Sequence, residues 1–186
     1  MDRDAQVRND GVIGREEAVL VVIDMQEKLV PAMAEGEQAV TNTRRLLGLA
    51  EVMGLPVIAT EQEKLGRTIP EIAEKLTGPA IPKTTFDCFL TEDFSARVAK
   101  TGRNALIICG IEAHICVAQT ALSAHPRFTV HVVADAIASR SPHNVLIAVE
   151  RMRAAGITIT STEMAIYELL QRAGTAQFKA MLPLVK

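Results

Sequence analysis

Three side chains stand where aliphatic runs end: Asp24 closes AVLVVI, Lys83 closes a short AIP stretch, and Cys116 lies just beyond NALIICG. In open α/β sheets the reactive crevice lies beyond the carboxyl ends of the strands, so polar residues that terminate apolar strands are the first candidates for chemistry. The three types form a coherent nucleophilic set. A thiol in the first turn of a helix feels its positive end, and a nearby ammonium favours the nucleophilic thiolate. A carboxylate within reach can carry the proton from the thiol to a leaving amine. Singly, each has an ordinary reading: the Asp caps a turn, the Lys is a solvated side chain, the Cys is a small buried hydrophobe. The functional reading rests on their joint placement.

The elements that must hold these residues are legible in the hydrophobic pattern. Ala18 to Ile23 is a continuous aliphatic run, as expected for a strand buried on both faces. Val40, Leu46, Leu47, Ala50 and Met53 recur with helical spacing, and Gly54 with Pro56 stops that helix before a strand from Pro56 to Thr60. The pattern continues with a short helix at Ile69 to Leu76, a short strand at Ala80 to Lys83 and a helix at Asp93 to Lys100. A strand at Asn104 to Cys109 is followed by a turn at Gly110 and a helical face of Ile115, Ala118, Ala121 and Leu122. Strands at Thr129 to Val133 and Ile157 to Thr160 flank a helix marked by Val145, Val149 and Met152. Ser161 or Thr162 caps a helix through Met164 to Leu170, and a shorter one closes the chain near Phe178. This alternation predicts one α/β domain over 1–186, doubly wound, with a mostly parallel sheet of about six strands and helices on both faces. Residues 1–15 read as a polar N-terminal extension.

Composition narrows the function classes. A net charge of −2 with interspersed signs provides no basic field for a phosphate backbone, and aromatics make up only 3% of the chain, too few to interleave for base stacking. Nucleic acid is therefore not expected as a partner. The charged N-terminal segment lacks an apolar stretch of signal or anchor length, so neither secretion nor a membrane is expected. Cys88, Cys109 and Cys116 are an odd number without CxxC spacing, which argues for reduced thiols and a cytoplasmic location.

VVIDMQ (Asp24, Gln26), IPKTTFDCF (Lys83, Phe86, Phe89) and LIICGIEAHICVAQTAL (Gly110, Cys116) resemble, in order, the three signature blocks of isochorismatase-like cysteine hydrolases. The similarity continues through ADAIASR (Asp135, Ser139, Arg140) and TSTEM (Glu163). The resemblance implies a Rossmann-like three-layer fold, with Cys116 as nucleophile, Asp24 as proton acceptor and later donor, and Lys83 as the stabilising cation. It also implies a non-proline cis peptide at Ile111-Glu112 that aims the N–H groups of Glu112 and Cys116 at an oxyanion. A small-molecule substrate and a homo-oligomer, a dimer or larger, follow from the same resemblance. Phe86 and Phe89 are candidates for an apolar pocket wall, with Gln26 and His114 as further substrate contacts. Cys88 is placed to line the pocket and Cys109 to sit in the core.

The departures from the family pattern also inform. Nicotinamidases of this kind carry a metal-binding Asp-x-His between the first two blocks, whereas this chain reads ATEQEKLGRT there, with no His. No catalytic metal and no other cofactor are expected. The presence of Cys116 favours amide-like chemistry over vinyl-ether hydrolysis. Two readings stand beside the hydrolase: a catalytically idle scaffold or ligand-binding member, suggested by the Glu61-Gln62 loop, and a redox-sensing thiol at Cys116.

Overall fold

The computed structural model describes residues 11–185; the first ten residues of the expected N-terminal extension lie outside it. Six strands form one sheet: β1 (Ala18–Ile23), β2 (Val57–Gln62), β3 (Ile81–Lys83), β4 (Ala105–Ile111), β5 (Thr129–Ala138) and β6 (Thr158–Thr160). Their order is β3-β2-β1-β4-β5-β6 and every pairing is parallel. Chain order reverses between β1 and β4, which makes their carboxyl ends the switch point of a doubly wound sheet.

Aliphatic side chains alternate to opposite sides of β1 and β4 and build two cores. One face carries Leu20, Val22, Ile107 and Cys109 against α1 (Gly36–Met53), α6 (Thr162–Leu170) and α7 (Ala176–Val185). The other carries Val19, Val21, Leu106 and Ile108 against α3 (Glu92–Lys100), α4 (Ala118–Ala124) and α5 (Pro142–Ala154). Burial on both faces is why these strands show no polar alternation. The remaining helix, α2 (Pro70–Ala73), is a single turn, shorter than its apolar pattern suggests. Gly54 ends α1 at φ 67°, and Ser161 caps α6 by accepting from the N–H of Met164.

Three boundaries shift in ways that matter to the site. β2 runs two residues further than expected, to Gln62, and β5 five further, to Ala138. The expected turn at Gly110 is not there: β4 continues through it to Ile111. Gly110 adopts φ +120°, and a Cβ at this position would overlap the backbone of Ile23 on β1. Only glycine lets the two central strands approach this closely at the switch point.

Candidate active site

The ends of β1, β2, β3 and β4 bring Asp24, Thr60, Lys83 and Cys116 together. Asp24 is the first residue after β1 and turns the chain in the left-handed region at φ 51°, which Asp tolerates better than most residues. Its carboxylate is fully buried and uses both oxygens: Oδ1 accepts from Thr60 Oγ1 at 2.7 Å and Oδ2 accepts from Lys83 Nζ at 2.7 Å. Lys83, the last residue of β3, is 2% exposed and also donates to Gln62 Oε1 at 2.7 Å, to the carbonyl of Thr85 at 3.2 Å and to Cys116 Sγ at 3.6 Å. Burial works against its ammonium, but the charges of Asp24 and the two neighbouring sulfurs outweigh that, and its pKa is raised.

Cys116 lies in a π-turn, Ala113–Val117, rather than in the first turn of an α-helix. There the N–H of Val117 reaches back five residues to the carbonyl of Glu112. The peptide Ile111-Glu112 is cis. The Cys116 thiol is 6% exposed and hydrogen-bonds Asp24. Burial first and the Asp24 charge second push it up to about 12, with Lys83 opposing. The sequence argument has the cations prevailing and a thiolate at rest. The structure reverses that order, because desolvation at this depth and a carboxylate in contact outweigh one ammonium already shared with Asp24.

A small cavity of about 60 Å³ opens over this group. Asp24, Gln62, Glu112 and Cys116 provide its polar wall; Leu29, Leu65, Phe86 and Ile115 provide the apolar one. The Glu112 carboxylate, nearly buried, accepts from Nε of the exposed Arg140 at 3.0 Å. Other candidates lie elsewhere. Gln26 is buried with its amide occupied: Nε2 donates to the carbonyls of Gln62 and Gly66, and Oε1 accepts from the N–H of Gln62, clamping that loop to the end of β1. Phe89 turns away from the cavity, its ring 5.0 Å from Phe94 and 5.5 Å from Phe128, with the Arg127 guanidinium over its face. His114 bonds Ser139 Oγ at 3.0 Å and approaches Asn144, outside the cavity lining.

Cys88 and Cys109 are both fully buried, and burial raises them to about 11 and about 12. Cys88 is not a lining residue of the cavity, yet it is near enough for its charge to bear on Lys83. Asp135 accepts from the N–H and hydroxyl of Thr162, holding the start of α6. Glu61 accepts from the N–H and hydroxyl of Thr68. Thr60 and the side-chain role of Gln62 were not foreseen; the one available signal was their place at the carboxyl end of an apolar strand. Among the described residues no group of three or more His, Cys, Asp or Glu is placed to hold a metal ion, and no helix is long and apolar enough to cross a membrane.

Comparison with known proteins agrees with this fold. The isochorismatase domain model matches residues 18–164. Isochorismatase domain-containing protein 2 of Danio rerio is 36% identical over 173 residues, covering 91% of this chain and 87% of the relative. Protein 2A of Mus musculus is 35% identical over 181 residues, covering 95% and 86%. Among solved structures, the MAR1 ribonuclease of Caenorhabditis elegans superposes with TM-score 0.87 at 32% identity, covering 94% of this chain and 92% of that one. YcaC of Pseudomonas aeruginosa, solved with hexane-2,5-diol and covalent acrylamide, does so with TM-score 0.87 at 28% identity, covering 93% and 91%. YcaC of Escherichia coli, described as an octameric hydrolase of unknown specificity, gives 0.85 at 27%, covering 92% and 91%. With its six-stranded parallel sheet and its match to the domain model over most of its length, this chain belongs to the isochorismatase family, a hydrolase-like family.

Proposed function

We propose that this chain, as one domain over 1–186, is a cysteine hydrolase that cleaves a carbon-nitrogen bond of a small amide through a thioester on Cys116. The observation that carries this is one buried ammonium, Lys83 Nζ, in contact with both the Asp24 carboxylate and the Cys116 sulfur at the wall of a small cavity. With the thiol protonated at rest, Asp24 takes its proton as Sγ attacks the carbonyl carbon. The oxyanion accepts from the N–H groups of Glu112 and Cys116. Asp24 then gives the proton to the departing nitrogen, the C–N bond breaks and the thioester remains. Water attacks next, losing a proton to Asp24; the C–S bond breaks and Cys116 regains its hydrogen. The net change is amide plus water to acid plus amine.

Phe86 completes the apolar wall in this reading; Phe89, Gln26 and His114 support the site from behind rather than touching substrate. The covalent acrylamide on the Pseudomonas relative accords with a reactive nucleophile in a related protein. The reaction needs no metal and no cofactor, and it needs Cys116 reduced, which suits a cytoplasmic compartment; a relative in Phytophthora sojae is named a secreted effector, a location proper to that protein. The octameric relative supports a homo-oligomer here. An RNA substrate, suggested by the name of the nematode relative, is disfavoured because the described residues that line the cavity include no Lys, Arg or His to meet a phosphate.

The test is an amide panel run on wild type and Cys116→Ala, with intact-mass trapping of the acyl-enzyme. A mass adduct on Cys116 and a loss of at least about a thousandfold in turnover are expected. Unchanged turnover in Cys116→Ala, or reversible sulfenate formation without any turnover, would replace the hydrolase by another function.

A further inference from the structure

We infer that Gln62 is a positioning residue that acts through Lys83: its side-chain oxygen is the fixed point about which the ammonium turns from Asp24 to Cys116. The inference rests on the thioester reading for the reaction and goes beyond it in assigning a further residue to the site.

The Gln62 amide is oriented from both ends. Nε2 donates to the carbonyl of Thr84 at 2.9 Å, and Oε1 accepts from Lys83 Nζ at 2.7 Å. A carbonyl can only accept and an ammonium can only donate, so a single amide orientation satisfies both partners. The backbone is held as well: the N–H of Gln62 donates to Gln26 Oε1 at 2.8 Å, and its carbonyl accepts from Gln26 Nε2 at 2.9 Å. Thr60 and Gln62 are two residues apart on β2, so their side chains leave the same face of the strand. Thr60 donates to the anion of the buried ion pair, and Gln62 accepts from its cation.

Lys83 has three N–H groups, and among the described residues four acceptors surround them: Asp24 Oδ2 and Gln62 Oε1, both at 2.7 Å, the Thr85 carbonyl at 3.2 Å and Cys116 Sγ at 3.6 Å. At rest the three oxygens take the donors, and the sulfur is left with the longest contact. When Asp24 takes the thiol proton, its negative charge is lost and one appears on the sulfur. The two neutral acceptors do not change in that step. Gln62 and the Thr85 carbonyl therefore keep Nζ in place while its third donor passes from Asp24 to Sγ. Although Gln62 lines the cavity, its side chain bears on the chemical step rather than on substrate binding.

Gln62→Met keeps the length of the side chain and removes both polar ends. On an amide that wild type hydrolyses, it should lower kcat about tenfold and leave KM within about twofold. Gln62→Glu keeps an accepting oxygen for Nζ but sets a carboxylate against the Thr84 carbonyl, so it should run severalfold faster than Gln62→Met. A residue that merely tied the loop to Thr84 would give the opposite order. Gln62→Asn, one methylene too short to span both partners, reads the same loss if Gln62→Met fails to fold. The Lys83 ammonium signal in nitrogen-15 NMR, identified by its absence in Lys83→Arg, reads the contact without turnover: its protons should exchange with water faster in Gln62→Met and stay protected in Gln62→Glu. If wild type hydrolyses no amide yet the ammonium follows that pattern, the thioester reading falls and the hold of Gln62 on Lys83 stands. An unchanged kcat in Gln62→Met, a loss confined to KM, a Gln62→Glu enzyme as slow as Gln62→Met, or an ammonium signal indifferent to both substitutions overturns the inference.

Discussion

At the scale of single residues the site is governed by desolvation. A thiol pushed up to about 12 is a poor nucleophile until its proton is taken, so Asp24 must act within the same step as the attack. Iodoacetamide should label Cys116 ahead of Cys88 and Cys109, because it alone of the three lines the cavity, yet slowly at neutral pH and faster as pH rises. Asp24→Asn removes the charge that raises the thiol, so alkylation should quicken while hydrolysis falls by about a hundredfold to ten-thousandfold. Peptide mapping by mass spectrometry, beside turnover assays, checks both; a parallel loss of alkylation and hydrolysis would contradict the assignment. Lys83→Ala leaves a buried carboxylate without its ion pair and should destabilise the fold by about 3–5 kcal/mol in denaturant unfolding.

Elements contribute by where they end. β2 supplies Thr60, which donates to the charged Asp24 Oδ1 and so holds the carboxylate toward Lys83 and Cys116. Thr60→Val keeps the shape and removes the donor, and should lower stability by about 1.5–3 kcal/mol and turnover with it. β4 and β1 approach through Gly110. A methyl there meets the backbone of Ile23, which cannot yield as a side-chain tip would. Gly110→Ala should lower stability by about 3 kcal/mol or more, read as a fall in the denaturation midpoint, because it adds a disallowed φ to an overlap at the centre of the sheet. A midpoint within experimental error of wild type would show that the strands can separate at no cost.

For the whole molecule, pH dependence has an identifiable source far from the cavity. His131 on β5 is 1% exposed, and neither ring nitrogen has a hydrogen-bond partner among the described residues. Burial lowers its pKa from 6.5, and Glu168 only partly opposes this. The unfolded chain therefore binds this proton at a higher pH than the folded chain does. Its stabilising contribution is complete above 6.5 and is lost as pH falls, by at most about 1.4 kcal/mol per pH unit. Denaturant unfolding between pH 7 and 5 should show that slope in wild type and a shallower one in His131→Leu. The proposed homo-oligomer is a second whole-molecule expectation: Leu146 and Ile147 on α5 and Met164 and Tyr167 on α6 are exposed, and light scattering should report a mass above the 20.1 kDa of one chain.

Local physics made much of this legible before any coordinates. Continuous aliphatic runs mark strands buried on both faces, and the polar residue that ends each run marks the crevice side, so Asp24, Lys83 and Cys116 could be singled out and the doubly wound sheet anticipated. What depends on neighbours distant in sequence could not be read. Thr60 meets Asp24 and Gln62 meets Lys83 only because β2 lies between β1 and β3, a strand order that periodicity does not encode. Gln26 and Phe89 sit in motif positions that suggest substrate, but the packing of the 62–66 loop and of Phe94 and Phe128 claims them. The protonation of Cys116 was decided by tertiary structure alone: residue types allow either sign of shift, and only burial depth and the contact with Asp24 settle which charge prevails.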